Sequence, residues 1–142
     1  MTRSLVREHL FKLLFRVEFN SKEDMPQQVK FFFEDSIKDE DVKNPAADIP
    51  EEDAKYIRNK YDAIIERLPE IDDKIGNASN GWSVSRIGKV ELAILRLAVY
   101  EMLYDDDIPV SVAIDEAVEL SKRFGQDSSS SFVNGILATI AK

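Results

Sequence analysis

The sequence predicts an all-α protein of two small helical bundles packed together, with about seven helices in all. Three observations predict it. Apolar residues recur at three- and four-residue spacing along nearly the whole chain. No sustained alternation of apolar and polar residues appears between turn dipeptides, so strand signals are lacking. The stretch "GNASNGWS", rich in Gly, Asn and Ser, interrupts the pattern near the middle. The expected organisation is therefore one domain over residues 1–142, with subdomains of roughly 1–78 and 79–142.

The elements follow in order. Leu5, Val6, Leu10, Leu13, Leu14 and Val17 share one side of a first helix. Pro26 suits the opening turn of a second, which holds Val29, Phe32, Phe33 and Ile37; "DEDVKNPAADIP" then reads as a loop. Pro50 followed by Glu51, Glu52 and Asp53 starts a third helix, with its acids at the positive dipole end and Ile57, Tyr61, Ile64, Ile65 and Leu68 along it. From Arg86 to Tyr104 the chain is apolar around most of its circumference, the pattern of a helix enclosed by others. "DDDIP" ends it. The next stretch, "VSVAIDEAVELSKRF", is amphipathic through Val112, Ala113, Ala117 and Leu120, and Gly125 suits the left-handed position after a helix end.

The last element needs a choice. Asn134-Gly135 is a strong hairpin signal between strands, yet Phe132, Val133, Ile136, Leu137 and Ile140 fall at helical offsets, so the stretch reads as helix. Gly inside a helix costs about 1 kcal/mol relative to Ala. The expectation is that Gly135 permits a close approach to another helix, that Asn134 satisfies nearby backbone groups, and that Asp127 or Ser128 caps the N-terminus.

Composition excludes several classes of function. With 44% hydrophobic and 32% charged residues the chain has the makings of a globular core. It contains no cysteine, hence no disulfide and no thiolate metal site. The opening "MTRSLVREHL" has no signal-peptide core, and no run approaches the ~20 apolar residues of a membrane span, so cytoplasmic residence without a membrane partner is expected. His9 is the one histidine, which leaves no paired His for zinc and little basis for a Ser-His-Asp arrangement. Neither a GxGxxG nor a P-loop occurs. Asp105, Asp106 and Asp107 are consecutive and read as a solvated turn. The expectation is a protein with no catalysis, cofactor or metal.

Charge is uneven. The net charge is −8, but residues 34–53 concentrate nine acids against Lys38 and Lys43, whereas in residues 1–20 Arg3, Arg7, Lys12 and Arg16 outnumber Glu8 and Glu18. On the first helix Phe11, Phe15 and Phe19 recur every four residues beside Arg7, Lys12 and Arg16. Rings that stack on bases, interleaved with cations that meet phosphates, suit single-stranded nucleic acid; three Phe at helical spacing equally suit a core. A second basic stripe lies on the central helix, where Lys89 and Arg96 fall almost in line and Arg86 close by, with Glu91 pointing away. It reads either as a phosphate-binding face or as ordinary salt bridges to Glu101 or the acidic loop. Serines 128–131, at a helix start, read as a flexible linker or as a phosphate acceptor built from hydroxyls and N–H groups.

"ELAILRLAVYEM", "IPVSVAIDEAVELSKRFG" and "SSSSFVNGIL" together resemble the C-terminal half of the NusB family of bacterial transcription antitermination factors, in the same order and with similar gaps. "VREHLFKLLF" is similar to that family's opening helix. The resemblance implies two perpendicular helical bundles. It also implies binding of boxA, a single-stranded RNA element of ribosomal RNA operons, together with the ribosomal protein NusE, and action on the RNA polymerase elongation complex. Carried over residue by residue, it implies RNA contacts from Arg3, Arg7, Phe15 and Arg96, and makes Glu91 a candidate for pairing with a basic partner protein. Joined with the basic stripe, the flanking Lys12 and the serine-rich helix start, the expected RNA-binding set is Arg3, Arg7, Lys12, Phe15, Arg86, Lys89, Arg96, Ser128, Ser131 and Phe132. Ser131 stands where the family often has a basic residue, and Asp115 where Asn is usual. Relatives differ in oligomeric state, so a homodimer stays open. The alternative expectation is a helical protein-interaction module that keeps the fold without specific RNA recognition.

Overall fold

A computed structural model describes residues 1–34, 49–81 and 83–142. Ile37, most of the expected loop over 39–50, and most of the acidic stretch lie outside them. The described residues form seven α-helices and no strand: α1 (Arg3–Phe15), α2 (Met25–Glu34), α3 (Glu51–Glu66), α4 (Leu68–Ala78), α5 (Lys89–Tyr104), α6 (Val110–Phe124) and α7 (Ser129–Ala141). Short 3-10 turns occupy Arg16–Phe19 and Val84–Arg86. None of these helices is long and apolar enough to cross a membrane.

The chain divides into two compact units, Met1–Ala63 and Ile64–Lys142. In the first unit, Thr2 caps α1 by accepting from the Leu5 N–H at 3.1 Å. The helix then buries Val6, Leu10, Leu13 and Leu14. Arg16, just past its end, ties the helix to α2: its guanidinium donates to the Gln28 carbonyl and Oε1, both at 3.3 Å, and lies 5.3 Å from the Phe32 ring centre. Arg58 of α3 sits over Phe33 of α2 at 4.3 Å, and the amino terminus meets Asp53 at 3.6 Å. A mixed apolar and cation–π contact set therefore holds this unit's helices together.

In the second unit α5 is the central helix, packed on α4, α6 and α7. Leu92 through Val99 are all buried, which explains a sequence apolar on nearly every side. The division falls inside α3, earlier than the break at "GNASNGWS". The reason is α4, whose fully buried Ile71 and Ile75 belong with the second unit, since the helix packs on α5 and α7. Pro69 lies in its first turn, where a missing N–H costs nothing. The break itself is a turn in which Asn80 and Gly81 adopt φ of 54° and 85°, the left-handed region that this residue pair tolerates best.

Two glycines depart from expectation. Gly125 is extended, at φ −94° and ψ −171°, and not left-handed. A Cβ there would lie 2.6 Å from the Ser129 Cβ and Oγ and 2.7 Å from the Ser121 carbonyl oxygen, so close approach and not backbone conformation selects glycine. Gly135 is the reverse case. It faces solvent on α7 and a Cβ would meet nothing within 4 Å, so the expected helix–helix approach is absent.

Candidate nucleic-acid interface

On the first unit, the three phenylalanines form a gradient. Phe11 is 4% exposed, Phe15 half-buried, and Phe19, in the 3-10 turn, 57% exposed. Their rings are linked in series, with centroids 6.3 Å apart from Phe11 to Phe15 and 4.9 Å from Phe15 to Phe19. One end of the stripe is core and the other is exposed to solvent. Arg3 is exposed. Lys12 is partly exposed and paired with Glu8 at 3.1 Å. Arg7, expected to meet phosphate, is only 6% exposed and is buried on α1 as Val6 and Leu10 are.

His9 is buried beside Phe32, with ring centroids 6.2 Å apart at 75°. Burial lowers its pKa below the usual histidine value, Lys12 pushes the same way, and Glu8 opposes both. The ring is thus held neutral and acts as a core group. Tyr61 is pushed up to about 12 by burial and by the nearby Asp62.

On the second unit the basic stripe divides. Arg86 and Lys89 are exposed, but Arg86 belongs to the 3-10 turn before α5, not to the helix. Arg96 is 6% exposed, and its guanidinium makes a two-pronged pair with Asp72 of α4: Nε to Oδ1 and the terminal NH2 to Oδ2, each 2.9 Å. The guanidinium expected to meet phosphate is thus engaged by a carboxylate within the chain. The salt-bridge reading holds for this residue, with Asp72 as a partner that the sequence did not suggest.

Ser128, Ser131 and Phe132 are exposed at the start of α7. Ser128 occupies the cap position without a side-chain bond to the helix. Buried Ser129, which the sequence did not single out, makes the contacts instead: its Oγ accepts from the Gln126 N–H at 2.9 Å and donates to the Glu91 carboxylate. Glu91, expected to face a basic partner, is half-buried and already engaged inside the chain. Asp105 accepts from the Asp107 N–H at 3.1 Å, closing the expected turn.

Among the residues expected to bind RNA and the phenylalanine stripe, the described structure offers exposed cations, an exposed ring at Phe19 and another at Phe132, and a helix start. Among the described residues no group of three or more His, Asp or Glu side chains is placed to hold a metal. The profile of the NusB family matches residues 4–142. The chain belongs to the NusB family. It is 49% identical over 140 residues to the transcription antitermination protein NusB of Lachnoclostridium phytofermentans, covering 99% of this chain and 98% of that one. It is 47% identical over 141 residues to NusB of Agathobacter rectalis, covering 99% and 100%. Among solved structures, NusB of T. maritima superposes with a TM-score of 0.80 at 38% identity, covering 99% of this chain and 91% of that one. A structure of the antitermination factors NusB and NusE in complex with dsRNA matches with a TM-score of 0.70 at 27% identity, covering 99% and 98%.

The partners of Asp72 and Ser129 are not legible in the sequence for one reason. Each acts on a residue of another helix, and spacing along one helix carries no signal for that.

Proposed function

We propose that this NusB-family chain binds boxA-type single-stranded RNA together with NusE as a transcription antitermination factor, acting in the cytoplasm on the elongating RNA polymerase. The observation that carries this reading is the full-length match to one chain of a structure of NusB and NusE in complex with dsRNA. The chain's part is binding. On the first unit, Arg3 and Lys12 meet phosphates, and Phe15 with the exposed Phe19 offers rings to bases. On the second, Arg86 and Lys89 supply cations, while Ser128, Ser131 and Phe132 supply hydroxyls, N–H groups and a ring. Two weak RNA sites held on one complex, one on this chain and one on NusE, give the pair its affinity by raising the effective concentration of the second contact. The mechanism contains no bond-making step.

The test is fluorescence-anisotropy binding of a labelled boxA-like strand, a scrambled strand and a duplex, at two salt concentrations, with and without NusE. The boxA-like strand is expected to bind best, and more tightly with NusE. Arg86→Ala with Lys89→Ala should weaken all strands and reduce the salt slope by about 1.4, at ~0.7 per phosphate on single strands. Equal weak binding everywhere overturns the reading. That outcome favours a helical protein-interaction module, a second reading to which the net charge of −8 and the burial of Arg7 and Arg96 lend weight.

A further inference from the structure

We infer that Ser129 is a positioning residue for RNA recognition, acting through Glu91 to fix the start of α7 against the start of α5; the inference rests on the RNA-binding reading above. Three helix ends meet at this point. Ser129, 4% exposed, lies in the first turn of α7. Its hydroxyl donates to Oε1 of Glu91, in the first turn of α5, and accepts from the Gln126 N–H in the connection that leaves α6. The Ser129 N–H in turn donates to the Gln126 carbonyl at 3.0 Å, so the connection and α7 are bonded reciprocally.

Two glycines make room for this junction. Gly125 lacks the Cβ that would strike Ser129, and its N–H bonds the Ser121 carbonyl at 2.9 Å. Gly88, the cap residue of α5, lacks the Cβ that would strike the Glu91 carboxylate folded back over it. One carboxylate oxygen thus bonds Ser129 while the other occupies the space a Gly88 Cβ would need.

The proposed RNA groups sit immediately outside the junction. Arg86 and Lys89 flank Gly88, and Ser128, Ser131 and Phe132 surround Ser129 in sequence; all five are exposed. The Glu91–Ser129 hydrogen bond therefore sets the distance between the cations at one helix start and the hydroxyls and ring at the other. Neither Ser129 nor Gly88 need touch RNA to affect which strand is preferred. Phosphate contacts govern overall affinity and salt dependence, whereas relative placement of base-contacting groups governs discrimination.

The test measures the ratio of boxA-like to scrambled affinity and the salt slope, by anisotropy with NusE present. Ser129→Ala removes the hydroxyl, and Gly88→Ala displaces the Glu91 carboxylate while leaving α7 untouched. Both variants should lose three- to tenfold of the ratio at an unchanged salt slope. Glu91→Gln, whose amide oxygen still accepts from Ser129, should keep the ratio, and Glu91→Ala should lose it. A folded Ser129→Ala or Gly88→Ala that keeps the wild-type ratio overturns the inference and leaves the RNA-binding reading standing. A wild-type chain without strand preference overturns the RNA reading and this inference with it.

Discussion

The Arg96–Asp72 pair offers the sharpest test of how charge is used in the second unit. The arginine side chain is 7% exposed and the aspartate 26%, so the two ends of the pair lose different amounts of solvent. Removing one partner of a buried pair costs about 3–5 kcal/mol, because the other is left charged and dry. Asp72→Leu takes this carboxylate from the drier guanidinium and should fall inside that range. Arg96→Met keeps the side-chain volume and strands a carboxylate that water still reaches, and should cost less, about 1–3 kcal/mol. The double variant Arg96→Met/Asp72→Leu should recover much of the loss, giving a coupling energy of about 2 kcal/mol or more in a urea-denaturation cycle. In RNA binding, Arg96→Met should leave the salt slope unchanged, since this guanidinium already has its carboxylate. Additive single-variant losses, together with a slope reduced by about 0.7, would show that Arg96 meets a phosphate and that the pair contributes little.

Other outcomes follow from the same contacts. The lowered pKa of His9 means that the folded chain disfavours its protonation, so its contribution is fully present above the unfolded value of 6.5 and shrinks as pH falls below it. His9→Gln should flatten the fall of the urea midpoint over that acid range, and an unaltered pH profile would count against a buried neutral ring. The two glycines should respond oppositely in thermal unfolding. Gly135→Ala should stabilise by up to about 1 kcal/mol, because its Cβ enters open space on a helix. Gly125→Ala should destabilise by about 1–3 kcal/mol, since Ser129 and a backbone carbonyl must give way. Equal shifts for the two would contradict the packing described.

Helical periodicity made the fold legible, and it did so most plainly in α5, where an unbroken apolar run could only be an enclosed helix. α4 was harder to see. It is short, buries two isoleucines, and carries acids and a lysine elsewhere, so it blends into the end of α3 until Pro69 is read as a start. Among the candidate site residues, spacing placed Lys89 and Arg96 on one line of α5 correctly. It could not reveal that α4 brings a carboxylate to Arg96. The Phe11, Phe15 and Phe19 stripe shows the same limit, because the period locates a face and the neighbouring elements decide how far along it burial extends. Gly125 and Gly135 look alike in one dimension; only the atoms around each distinguish a required glycine from a tolerated one.

The dipeptide Asn-Gly occurs at 80–81 and again at 134–135, in opposite settings. Deamidation through a cyclic imide requires the glycine nitrogen to swing onto the asparagine side-chain carbonyl. Along α7 the backbone is held in helical dihedrals that keep those two atoms apart. In the turn at Asn80 and Gly81 no helix imposes that restraint, and both residues are exposed. The helix that answers the hairpin question at Asn134 thus also acts as a chemical preservative, and storage of this protein should convert asparagine to aspartate or isoaspartate first at residue 80.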